Sequence, residues 1–105
     1  MNIMQIMKQA QNVQAKLKES QKQLADMELM GEAGSGAVKI ICDGQGKFKS
    51  IKLDSAALSI SSENAEELED LISVAMKQAS DKASKEMESK MKAATGGLNI
   101  PGLNF

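Results

Sequence analysis

The chain has no His, no Trp, no Tyr and no Arg, so all 13 of its positive charges are Lys. Without His, the commonest general base and the commonest metal ligand are both missing. Cys42 is the only thiol, which excludes an intramolecular disulfide, a four-cysteine zinc site and a CxxC redox pair. No apolar run approaches the roughly 20 residues that cross a bilayer. The N-terminal stretch carries Lys8 among Gln-rich positions and does not read as a secretory signal. What remains is ordinary globular material: 105 residues, 42% hydrophobic and 26% charged, with a net charge of −1. These values fit one domain over residues 1–105, which the order of elements along the chain makes α+β, in a cytoplasmic protein whose cysteine stays free.

Residues 2–30 contain neither Gly nor Pro and repeat in heptads. Ile3, Ala10, Leu17 and Leu24 occupy one seam position, and Ile6, Val13, Ser20 and Met27 the other. This spacing predicts a helix over about 2–30 that needs a partner along its seam. Gly31-Glu32-Ala33-Gly34-Ser35-Gly36 ends it. Residues 37–54 read as a β-hairpin turning at Asp43-Gly44-Gln45-Gly46, with Leu29–Ala33 as a possible third strand. Phe48 lies on the opposite parity from Ile51 and Leu53, which a bulge or a sheet covered on both faces would explain.

A Ser-rich connector, Ser55–Ser62, leads to a second helix over about 62–94. Asn64 and Glu67 fit a capping box, and Leu68, Leu71, Ile72, Ala75, Ala79, Ala83, Met87 and Met91 form its apolar stripe. Gly96-Gly97 stops this helix, and the apolar tail over 96–105 is expected to dock. A helix of about 28 residues is about 42 Å long, whereas a compact chain of this size has a radius of gyration near 13 Å. Both helices overshoot such a globule while carrying apolar stripes to their far ends. A homodimer is the economical way to cover them.

Gly46-Lys47 lacks the Ser or Thr that a phosphate loop needs, and Gly34-x-Gly36 lacks the third Gly of a dinucleotide fingerprint. Cys42 has no base to activate it and reads as a packed thiol. The acids of Glu63–Asp70 suit a solvated helix start, and the Met residues suit core or interface filling. No catalytic residue, metal site, cofactor, small-molecule substrate or membrane contact is therefore expected.

Charge segregation is the remaining lead. Residues 1–24 carry Lys8, Lys16, Lys18 and Lys22 against Glu19, a local sum of +3. Residues 58–75 sum to −5, and residues 76–95 to +2. Lys77, Lys85 and Lys92 fall within roughly 80° on a helical wheel, away from most of the apolar stripe. Lysines spaced along two long arms suit contact with a phosphate backbone.

The ordered set of local sequences is informative beyond any one of them. It comprises the opening Met4-Gln5-Ile6-Met7-Lys8-Gln9-Ala10-Gln11, the Gly31–Gly36 joint, Val38-Lys39-Ile40, Ile51-Lys52-Leu53-Asp54, Leu68-Glu69-Asp70-Leu71, and Met91-Lys92-Ala93-Ala94-Thr95-Gly96-Gly97-Leu98-Asn99-Ile100-Pro101-Gly102. Taken together it resembles the YbaB/EbfC family of bacterial nucleoid-associated proteins over essentially the whole chain. The resemblance implies a tweezer-like homodimer, with helical arms on a sheet-containing body, that binds double-stranded DNA in the nucleoid and alters its conformation. One departure is Asp54-Ser55, where the family often has Asp-Pro. The expected DNA contacts are Lys8, Lys16, Lys18, Lys22, Lys77, Lys85 and Lys92, with weak sequence preference because the bidentate Arg–guanine contact is unavailable to a chain without Arg. The alternative is a dimeric helical scaffold that grips another protein through its Met-rich arms or apolar tail.

Overall fold

The computed structural model describes residues 2–58 and 61–96, apart from the side chain of Ser62. Its elements run α1 (Ile3–Ala25), β1 (Leu29–Ala33), β2 (Val38–Cys42), β3 (Phe48–Leu53), a 3-10 turn over Ser62–Asn64, and α2 (Ala65–Thr95). The strands form one antiparallel sheet in the order β1-β2-β3. The α+β expectation and the third strand both hold. The expected docking of the tail concerns residues 97–105, which lie outside those described.

Helix α1 stops at Ala25, earlier than its periodicity predicts, because Leu29 and Met30 pair with Cys42 and Ile41 of β2 instead. Ladder pairing with β2 outweighs the local helical preference of these residues. The capping box at Asn64 does not form: the 3-10 turn feeds α2 directly, Asn64 has φ −105° and ψ 12°, and its side chain makes no cap bond. Helix α2 does stop where expected, with Gly96 in the left-handed region at φ 64°.

The register explains Phe48. It shifts between Ile41, opposite Ser50, and Cys42, opposite Phe48. Lys49 is the extra residue of a bulge, so Phe48 returns to the face that carries Ile51 and Leu53. That face is the one under α2. Val38, Ile40 and Cys42 are buried beneath Ala75, Ala79 and Ala83, so a helix lined by small residues lies close on the sheet. Coverage is uneven, however. Helix α2 packs on β1 and β2 and does not reach β3, which leaves Phe48 49%, Ile51 50% and Leu53 40% exposed.

The two sheet edges differ in the same way. The β1 edge is capped from α2: the Glu32 N–H donates to Gln78 Oε1 at 3.1 Å, and Lys82 Nζ donates to the Met30 carbonyl at 2.6 Å. No such cap lies along β3 among the described residues. The chain spans 68 × 21 × 18 Å with a radius of gyration of 19.3 Å, far above the roughly 13 Å of a compact chain. The elongation expected from helix length is real.

Candidate nucleic-acid interface

The first arm is α1. Asn2 caps it, its side chain accepting the Met4 N–H at 2.9 Å. Its C-terminal end is anchored: Leu24 and Ser20 are buried, the Gly44 N–H donates to the Leu24 carbonyl at 2.7 Å, and Gln45 Nε2 donates to the Gln21 carbonyl at 3.0 Å. Lys90 Nζ on α2 donates to Gln23 Oε1 at 3.0 Å. Away from this anchor the seam opens to solvent. Val13 and Leu17 are half-buried, whereas Ile3, Met4, Ile6 and Met7 are 73%, 74%, 48% and 57% exposed.

Lys8, Lys18 and Lys22 lie on the α1 face opposite that seam, with Lys16 to one side, and all four are exposed. None of them forms an ion pair among the described residues, so their charge is available to an external anion. On α2, Lys77, Lys85 and Lys92 are also exposed and lie opposite the buried Ala75, Ala79 and Ala83. Lys77 differs from the others, because its Nζ sits 2.9 Å from Asp81 Oδ2. An exposed i,i+4 pair of this kind contributes little to stability but offsets part of the attraction Lys77 offers a phosphate. The structure thus gathers six of the seven sequence-derived lysines onto two helix faces and sets Lys16 apart on the flank of α1.

Of the six lysines outside that set, Lys82 and Lys90 are occupied by the structural bonds described above, and Lys49 donates to the Met27 carbonyl. Three others, Lys39, Lys47 and Lys52, stand exposed on or beside the sheet. Strand alternation was the signal for Lys39 and Lys52, since each flanks apolar residues that face α2. Charge sums over helical segments pass over them.

The other candidate centres are quiet. The carboxylates of Glu63, Glu66, Glu67, Glu69 and Asp70 are exposed at the start of α2, as a solvated helix terminus would have them. Cys42 is fully buried, with its Sγ 3.4 Å from the Ala79 carbonyl, to which the thiol donates. Burial, and secondarily the neighbouring Asp43 charge, push this thiol above its ordinary value of 9.0. The fold therefore favours the neutral thiol, and its contribution to stability is complete below that value and lost as pH rises through the raised one. Urea midpoints measured between pH 8 and pH 10 should fall with pH, and Cys42→Ala should flatten that fall. An identical slope in the variant would remove Cys42 from the account. No described helix is long and apolar enough to cross a membrane.

Comparison with known proteins places these features. The chain is similar to the nucleoid-associated protein of Rickettsia akari, at 39% identity over 95% of this chain and 92% of that one. It is also similar to the nucleoid-associated protein of Nostoc punctiforme, at 42% identity over 90% of this chain and 80% of that one. The fold matches the crystal structure of an uncharacterized protein from Helicobacter pylori, with a TM-score of 0.74 and 15% identity over 85% of this chain and 91% of that one. A family model matches residues 1–98, and the chain belongs to the YbaB/EbfC DNA-binding family.

Proposed function

We propose that this protein is a nucleoid-associated homodimer that binds duplex DNA through Lys–phosphate contacts and alters its path or compaction with little regard to sequence. The carrying observation is the exposed, unpaired Lys8–Lys18–Lys22 face on an arm that projects beyond its anchor at Ser20 and Leu24. Membership of a DNA-binding family supports DNA as the partner. The names of the relatives support the nucleoid as its place. With Lys acting as a point charge, affinity comes chiefly from counterion release and carries little base information.

The homodimer reading rests on the asymmetry of the sheet. The edge of β1 is capped by Gln78 and Lys82, while β3 offers an edge left open among the described residues and flanked by Phe48, Ile51 and Leu53. Pairing β3 with its copy about a two-fold axis would satisfy the free ladder groups and cover three apolar side chains at once. Light scattering at two salt concentrations, with and without a duplex, tests both parts. The expected result is a dimer at micromolar concentration whose DNA complex dissociates steeply as salt rises. Ile51→Lys should yield monomers. A wild-type monomer, or tight and salt-insensitive binding to a single sequence, would sink the reading.

A second reading has its own observation, the exposed Ile3, Met4, Ile6 and Met7 on the arm. Such a surface suits a scaffold that grips another protein. Reversing charge at Lys8, Lys18 and Lys22 separates the two, because a scaffold keeps its protein partner and its DNA affinity does not change.

A further inference from the structure

The helical arms are not the chain's only concentration of positive charge. Residues 37–53 carry Lys39, Lys47, Lys49 and Lys52 against Asp43 alone. Asp43 is buried, and its Oδ1 is turned to the backbone N–H groups of Gln45 and Lys47 at 2.8 and 2.9 Å. Lys49 Nζ reaches the Met27 carbonyl at 3.4 Å. The other strand lysines are left to solvent. The register sets Lys39 of β2 directly opposite Lys52 of β3. Both are exposed on the sheet face away from α2, since their neighbours Val38 and Ile40 are buried on the face beneath it.

Like charges directly opposite on an antiparallel pair destabilise it. Relief of this pair is partial and comes from one neighbouring carboxylate. Glu32 stands opposite Lys39 on β1, yet no ion pair joins them among the described residues. Two lysine stems about 5 Å apart at their base suit a polyanion that presents one phosphate per 3.4 Å of helix axis on each strand.

The placement of the pair matters as much as its charge. Lys77, Lys85 and Lys92 lie on the side of α2 turned away from the sheet, and Lys39 and Lys52 on the side of the sheet turned away from α2. The two sets therefore face opposite ways across a two-layer body. A single straight duplex cannot lie against both.

We propose that the outer face of the sheet, centred on Lys39 and Lys52, is a second duplex-contacting surface, so that the protein can hold two DNA segments on opposite sides of its body. This rests on the DNA-binding reading above and adds a surface that the helical lysines do not provide. Pairing of β3 edges about a two-fold axis perpendicular to the sheet would lay two such lysine pairs on one continuous face.

The test is a capture assay. One duplex is immobilised, the protein is added, and retention of a second, labelled duplex is measured across a salt series alongside binding of the first duplex. Wild type should retain the second duplex. Lys39→Thr/Lys52→Thr, whose substitutions suit a strand and relieve the repulsion, should melt no lower than wild type. It should retain the second duplex at least tenfold less well while still binding the first, and Lys52→Thr alone should fall between. Capture by the double variant equal to wild type, or wild type that binds one duplex but never two, would overturn the second surface and leave the DNA-binding reading standing. Wild type that binds no duplex would overturn both. Unchanged capture together with lost binding of a polyglutamate peptide would assign the face to an acidic protein segment instead.

Discussion

Gly31→Ala should destabilise the fold by about 3 kcal/mol, at the upper end of what overpacking by a single methyl costs. The reason is space. A Cβ built on Gly31 would collide with the carbonyl oxygen of Ala75 and lie 2.6 Å from the Ala79 nitrogen. Both are backbone atoms of α2, so no side-chain rotation can make room. Helix α2 would have to lift off β1, and the bonds from the Glu32 N–H to Gln78 and from Lys82 to the Met30 carbonyl would go with it. For a domain with the usual 5–15 kcal/mol of stability, the melting temperature should drop by on the order of 10 °C or more. Urea titration should show a lower midpoint with an unchanged slope. Gly46→Ala is the control, because Gly46 has φ +88° with nothing within 4 Å of a built Cβ. Its cost is backbone strain alone, about 1 kcal/mol. Equal losses in the two variants would refute the close-approach account.

That contact shows where sequence reasoning reaches and where it stops. The alanines of α2 are legible as part of a helical stripe. That Ala75 and Ala79 meet Gly31 depends on the crossing of helix and sheet, which no local pattern encodes. The same division recurs elsewhere. The α1 seam follows from a heptad period. The parity of Phe48 leaves a bulge and a sheet covered on both faces equally open until the register shift between Ile41 and Cys42 decides for the bulge. The end of α1 follows from no period, because Leu29 and Met30 suit a helix until β2 offers them a ladder. Lys39 and Lys52 are each visible as outward strand residues, yet their opposition depends on a register that the bulge at Lys49 sets. For the helical lysines, position was legible and availability was not. Lys77 looks equivalent to Lys85 on a wheel, but only Lys77 is paired, with Asp81.

Replacing Lys8, Lys18 and Lys22 together by Gln should weaken duplex binding by on the order of a hundredfold or more at 0.1 M salt, the largest functional loss expected of any surface variant here. Each lysine that contacts a phosphate releases about 0.9 of a counterion, so losing three such contacts should lower the salt slope by about 2.7 for each arm of the dimer that engages the duplex. Stability should hardly change, because the three side chains are exposed and make no ion pair among the described residues. Gln also keeps helix propensity close to that of Lys. Lys77→Gln should cost less than Lys85→Gln, since its charge is already shared with Asp81 at 2.9 Å. The loss should be uniform across unrelated duplex sequences, as removal of backbone contacts requires. Fluorescence anisotropy on two duplexes of different sequence, each followed over a salt series, measures all of these quantities together. An unchanged slope in the triple variant would move the DNA contacts off α1. A loss confined to one sequence would show that these lysines read bases, against the point-charge mechanism that a chain without Arg implies.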